Sequence, residues 1–198
     1  MTIQDKAPLK GLVLCGGFST RMQEDKSSIA YHGMPQWQYL VHLLQPLLPE
    51  VYISCREEQR EKFNAYPHLI PDTVPYGGPS AGLLSAHALQ PHTAWLVIAC
   101  DLPLISQQSL TLLLQSRDTN KAATTFVSPF NQLPEPLIAI WEPAGLALLA
   151  QNVAAGKNCP RKTMLNTAIA LLENPYATEQ FNANTPEEKA TIFSNLGL

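Results

Sequence analysis

The stretch that most restricts this chain runs from Leu12 to Lys26. Gly11 to Cys15 is a short apolar run of the kind that forms a buried strand. It ends in Gly16-Gly17, and Ser19, Thr20, Arg21, Asp25 and Lys26 follow. Two adjacent glycines let the backbone turn sharply and approach a ligand with no Cβ in the way. Successive N–H groups in such a turn can converge on one phosphate. Arg21 offers a bidentate guanidinium fork and Lys26 a mobile point charge, so both can neutralise a polyphosphate. A Gly-Gly hairpin with surface charges beyond it is the plainer alternative. The pattern predicts a nucleoside triphosphate site at the C-terminal end of the first strand.

The spacing is neither of the two commonest phosphate loops. No Gly-Lys-Ser/Thr follows at the offset a P-loop needs, and no third glycine opens a helix as in the dinucleotide fingerprint. Bulk properties narrow the class further. Of 198 residues, 45% are hydrophobic and 15% charged, which predicts a folded chain with a sizeable core. We expect one domain over 1–198, with residues 1–8 a loose leader. A net charge of −3 argues against general nucleic-acid binding. The cysteines at 15, 55, 100 and 159 form no CxxC pair, so they suggest buried free thiols, not zinc or disulfides. With no signal peptide ahead of the first strand and no bilayer-length apolar run, the expectation is a reduced, soluble, cytoplasmic protein with no membrane partner.

Along the chain, strands alternate with helices. Strands are expected at 50–55, 69–72, 95–100, 122–127, 135–141 and 169–172. Helices are expected at 35–47, 57–64, 81–89, 107–115 and 143–154, with Gly156 as a stop and Thr185, Pro186 and Glu188 opening a last helix through a capping box. This alternation predicts a three-layer α/β/α, Rossmann-like fold with a mostly parallel sheet. Asp72 leads into a loop rich in Gly and Pro that ends near Gly78 and Gly82. The loop is either a second phosphate site at a helix N-terminus or a simple strand-to-helix turn. Asp101 ends the clearest buried strand, where open α/β sheets bind ligands, and is the first choice for Mg²⁺. Capping the helix at 107–115 is its alternative role, although Ser106 already holds that position. Lys157, Arg161 and Lys162 form the densest basic cluster, which also fits an ordinary solvated face.

Leu14-x-Gly16-Gly17-x-Ser19-x-Arg21-Met22, followed by Asp25-Lys26, resembles the signature of nucleotidyltransferases that activate sugars, alditols and pterins. Asp72 with Gly78-Pro79-x-Ala81-Gly82, then Cys100-Asp101-Leu102-Pro103, then Asn182-x-Asn184-Thr185-Pro186-Glu187, resemble the molybdenum cofactor guanylyltransferases, from about Leu9 to the last helix. That resemblance implies a GT-A/Rossmann-like nucleotidyltransferase that joins GMP from GTP to the phosphate of molybdopterin and releases pyrophosphate. It implies a nucleotide site of Leu14, Cys15, Gly16, Gly17, Lys26, Asp72, Gly78 and Asp101. Leu14 would pack on the nucleotide, and Asp72 would read the guanine edge. Arg21, Lys26 and Asp101 would be catalytic, with Mg²⁺ on Asp101. Glu135, Arg161, Lys162, Asn182 and Asn184 would stand on the pterin side, where the two asparagines also fit an Asx turn. Transient contact with molybdenum-inserting or acceptor enzymes is a further implication.

Three positions depart from the family pattern. Cys15 replaces a usual Ala, Gln23 a usual Gly, and the run Ser54-Cys55-Arg56 lacks an Asn that helps read the base. The segment near Cys55 keeps open a cytidylyltransferase of molybdopterin, and Gln23 a non-catalytic nucleotide-binding partner protein; a sugar- or alditol-phosphate transferase is a third enzyme reading, against which the Asn182-x-Asn184-Thr185-Pro186 ending speaks.

Overall fold

A computed structural model describes residues 6–17, 22, 24–74 and 77–197. Arg21 and Gln23 lie outside those residues. The apolar run after Pro8 forms β1 (Leu9–Leu14), flanked by parallel partners on both sides. One is β2 (Val51–Cys55); the other is β4 (Ala94–Ala99). Both are buried along their whole length, with Ser54 the one polar residue in β2, because helices cover both faces of the sheet. The edge strand β3 (Leu69–Pro71) joins β2 in parallel. Beyond β4 lie β6 (Pro134–Trp141), β5 (Ala123–Val127) and β7 (Ala170–Leu172), giving the order β3-β2-β1-β4-β6-β5-β7. Only β6 runs against its neighbours, so the sheet is mostly parallel, as expected.

Residues of β1 alternate between two cores. Val13 faces α1 (Gln36–Leu44) and α3 (Gln107–Gln115), packing with Leu40, Leu44, Ile98 and Leu110. Leu12 faces α2 (Pro79–Leu89) and α4 (Pro143–Ala154), packing with Leu83, Trp95, Leu146 and Leu149. A third, smaller cluster joins Met22, Ile29 and Tyr31 to Ala183 and to Ile192 of α6 (Pro186–Asn195). It ties the end of the chain to the glycine loop.

Local chemistry accounts for the differences from expectation. α1 stops at Leu44 instead of reaching 47, because Pro46 has no N–H to continue the ladder. α2 opens two residues early, at Pro79, where a missing N–H costs nothing, and Gly78 precedes it at φ +79°. The charged segment Glu57–Phe63 is a 3₁₀ helix, not an α-helix. A short helix, α5 (Pro160–Leu165), was not expected and carries Arg161 and Lys162. Gly156 takes φ +78° just beyond α4, and Thr185 and Glu188 form the expected capping box. Among the described residues no helix is long and apolar enough to cross a membrane.

Candidate active site

The sheet order reverses between β1 and β4, and open α/β sheets bind ligands outside the carboxyl ends of strands at such a point. A cleft of about 170 Å³ lies there. Leu14, Cys15, Gly16, Gly17, Lys26, Asp72, Gly78 and Asp101 all line it, so the structure brings together every described residue expected at the nucleotide. The ladder continues one residue past β1, with Cys15 N donating to Ser54 O at 2.8 Å and Cys100 N to Leu14 O at 3.2 Å. A Cβ on Gly16 would sit 3.0 Å from Asp72 Oδ2, so the missing side chain makes room for the carboxylate.

Lys26 begins a 3₁₀ turn, Lys26–Ser28, capped by Asp25, whose carboxylate accepts from Ser27 N at 2.9 Å and Ser27 Oγ at 2.7 Å. Burial opposes the ionisation of Asp25, but the bonds from Lys62 and Ser27 outweigh it and hold its carboxyl below the usual range. The turn directs Lys26 Nζ to Asn184 Oδ1 at 2.6 Å, with Asp101 Oδ2 at 3.7 Å. The backbone around Asp101 is fixed from three sides. Ala183 N donates to Asp101 O at 2.8 Å, Gln36 Nε2 to Leu102 O at 3.3 Å and His32 Nε2 to Pro103 O at 2.7 Å. Burial pushes the Asp101 carboxyl up, Lys26 opposes this, and Glu135 adds to it. Asp101 Oδ1 is buried with no hydrogen-bond partner among the described residues.

At the other wall, Ser54 Oγ donates to Asp72 Oδ1 at 3.2 Å, and Asp72 N donates to Cys55 O at 2.8 Å. Burial raises the Asp72 carboxyl; Ser54 and Arg56 pull it back down. Helix α2 can lie this close only because Gly82 has no side chain. A Cβ there would meet Leu14 Cδ2 at 2.7 Å and overlap the Ser54 hydroxyl. Cys15 Sγ and Cys100 Sγ touch at 3.2 Å across β1 and β4, and burial holds the Cys15 thiol well above its usual range.

The residues expected on the pterin side divide. Asn184 is in the site through Lys26, and Asn182 precedes the Ala183 that binds Asp101. Glu135 shares a face of β6 with Leu137, which lines the cleft. Arg161 is bound by Glu135 Oε2 at 3.0 Å and Pro134 O at 3.0 Å. Lys162 is exposed on α5.

Comparison with known proteins gives the family of the chain. The family model described as MobA-like NTP transferase domain matches residues 11–169. The molybdenum cofactor guanylyltransferase of Ectopseudomonas mendocina is 30% identical over 91% of this chain and 89% of its own length. The chain belongs to the MobA-like NTP transferases, the family of the molybdenum cofactor guanylyltransferases. The molybdenum cofactor biosynthesis bifunctional protein of Synechocystis sp. is 32% identical over 94% of this chain, which spans about half (54%) of that relative's length. The crystal structure of molybdopterin-guanine dinucleotide biosynthesis protein A from Archaeoglobus fulgidus superposes with a TM-score of 0.80 at 20% identity, covering 95% of this chain and 98% of the other, and so shares the fold.

Within this MobA-like frame the sequence reading missed several cleft residues. Ser54, Asp25, Ser27 and Gly82 also line it. Ser54 enters the sequence reading only within the run that lacks the base-reading Asn, because a lone Ser inside an apolar strand carries no pattern of its own. Gly82 stands in the sequence as part of a Gly- and Pro-rich loop and of the motif Gly78-Pro79-x-Ala81-Gly82, yet its role is steric. Arg56 donates to Gly16 O at 3.2 Å and Gly17 O at 3.1 Å.

Proposed function

We propose that this MobA-like transferase moves GMP from GTP to the phosphate of molybdopterin. A phosphate oxygen of the pterin attacks the α-phosphorus of GTP in line. The new P–O bond forms as the bond to the β-phosphate oxygen breaks, and pyrophosphate leaves. Such transfers need positioning and charge neutralisation more than covalent participation by the protein. The observation that carries this reading is Lys26, set between Asp101 and Asn184 and lining the same cleft as Gly16, Gly17 and Asp72.

Each residue has work suited to its place. Gly16 and Gly17 present backbone amides to the β- and γ-phosphates. Lys26 bridges the α-phosphate and the attacking phosphate. Arg21, outside the described residues, is assigned to the leaving pyrophosphate on its chemistry alone. Asp72 accepts from the guanine N1–H and N2–H, with Ser54 fixing its orientation. Among the described residues no group of three or more His, Cys, Asp or Glu gathers into a metal cage. Asp101 nevertheless suits Mg²⁺, since that ion takes one or two carboxylates and completes its shell with phosphates and water, and Oδ1 has no hydrogen-bond partner among the described residues. When bound, Mg²⁺ supplies charge neutralisation at the α-phosphate. Asn182, Glu135, Arg161 and Lys162 stand on the pterin side. There Arg161, oriented by Glu135, and exposed Lys162 are the cations offered to the pterin phosphate.

One observation favours a second reading. The run Ser54-Cys55-Arg56 has no Asn to help read the base, and Arg56, near enough to Asp72 to lower its carboxyl, carries donors only, which suits a cytidylyl version with the same phosphate chemistry. Titration with GTP, CTP and ATP, each with and without Mg²⁺, separates the two. The guanylyl reading expects Mg²⁺-dependent preference for GTP. Preference for CTP overturns it and leaves the transfer chemistry standing.

A further inference from the structure

Arg56, Gln59 and Lys62 are three residues apart, and in a 3₁₀ helix residues at that spacing eclipse one another on one face. All three point at the glycine loop. Arg56 donates to the carbonyls of Gly16 and Gly17. Lys62 Nζ donates to Asp25 Oδ2 at 2.8 Å and Ser27 Oγ at 2.6 Å. Gln59, between them and only 8% exposed, reaches both ends of the loop with one amide group. Its Nε2 donates to Cys15 O at 3.2 Å and to Asp25 Oδ2 at 3.0 Å. Its Oε1 accepts from Arg56 N at 3.1 Å, which fixes which end of the amide faces the loop.

We infer that Gln59 is a positioning residue for nucleotidyl transfer, a staple that sets Cys15–Gly17 at a fixed distance from Asp25–Lys26. The argument is geometric. The carbonyls of residues 15, 16 and 17 are all taken from the side of the 3₁₀ helix, so the N–H groups of Gly16 and Gly17, which oppose the carbonyls of Cys15 and Gly16 across their trans peptides, turn away from that helix. Asp25 is held by the same face, and Lys26 follows it directly. The backbone amides for the polyphosphate and the amine for the α-phosphate are thereby registered by one side chain that touches neither. A displacement of about 1 Å at such groups costs roughly a hundredfold in rate.

The inference rests on the proposed transfer only in its kinetic arm. Gln59→Met keeps the length and shape of the side chain and removes both donors. Two measurements read it: amide hydrogen exchange at Gly16, Gly17 and Lys26 without ligand, and affinity for inorganic tripolyphosphate with Mg²⁺. The expected result is faster exchange at those amides and roughly tenfold weaker tripolyphosphate binding, the loss typical of a hydrogen bond to a charged group. In turnover, kcat falls while KM for the pterin is unchanged. Unchanged exchange together with wild-type tripolyphosphate affinity overturns the staple. Gln59→Asn, which stays polar but is one methylene too short to span Cys15 O and Asp25 Oδ2, repeats the test if Gln59→Met fails to fold. A wild-type protein that binds tripolyphosphate but turns over no GTP overturns the guanylyl reading, and the exchange comparison still decides the staple.

Discussion

Lys26 Nζ lies 3.7 Å from Asp101 Oδ2 while donating to Asn184 Oδ1 at 2.6 Å. These three side chains come from the first loop, the end of β4 and the segment before α6. Lys26 is therefore already aimed, and little reorganisation is left for the moment when charge builds on the α-phosphate. Lys26→Gln keeps a donor for Asn184 and removes the charge. We expect kcat to fall by at least about a hundredfold, the scale seen when one preorganised donor is lost. GTP affinity should fall far less. Equal losses in kcat and affinity under pre-steady-state and equilibrium titration would reduce Lys26 to a ground-state contact.

Asp101 stores a cost that function requires. Burial raises its carboxyl, only partly offset by Lys26, so the folded protein holds that proton to higher pH than the unfolded chain, whose carboxyl titrates near ~3.9. The stability this provides is complete below the unfolded value and is lost as pH rises through the folded one. At neutral pH the charge is a burden. Asp101→Asn should therefore raise Tm at neutral pH, with a gain that shrinks as pH is lowered. It should also abolish the Mg²⁺ dependence of GTP binding. A pH-independent change in Tm across a melting series would contradict the assignment of cost.

Asp72 gives the opposite pH signature in binding. It must be ionised to accept two guanine donors, and burial raises its carboxyl. GTP affinity should weaken as pH falls through that raised value, while tripolyphosphate affinity changes less. Asp72→Asn should weaken GTP binding roughly tenfold or more and narrow the preference over ATP, because one acceptor becomes a donor. Gly82→Ala should do the same from a distance, since its Cβ displaces the Ser54 hydroxyl that orients Asp72. Titrations across pH with the two nucleotides and tripolyphosphate check all three expectations.

The sequence made the proposed phosphate-binding edge legible because its residues are local: Leu14 and Lys26 belong to one short stretch of sequence, and Asp72 and Asp101 each follow the end of a strand. The hydrophobic runs likewise announced the central strands. What it could not announce was contact across long separations. Nothing at Asn184 marks it as the partner of Lys26, 158 positions away. The basic cluster at Arg161 and Lys162 looked uniform, yet Glu135 binds one and leaves the other exposed. The grip of Arg56, Gln59 and Lys62 was hidden by reading their segment with a period of 3.6 residues when its period is three.

Arg117 and Glu142 show what the fold needs away from the cleft. The guanidinium meets the carboxylate through two bonds, at 2.6 and 2.9 Å, and also donates to Ala7 O at 2.9 Å. Their side chains are 12% and 4% exposed. Removing one partner strands a buried charge, so Arg117→Leu should cost about 3–5 kcal/mol in denaturant unfolding. KM for GTP should stay at the wild-type value.

The most direct test is pyrophosphate release from the purified protein with Mg²⁺ and GTP, CTP or ATP, with and without molybdopterin. The account predicts release that requires the pterin and is fastest with GTP, and a guanine dinucleotide of the pterin formed mole for mole with pyrophosphate. Pterin-independent release, or pterin-dependent release fastest with another nucleotide, would contradict guanylyl transfer as the activity of this cleft.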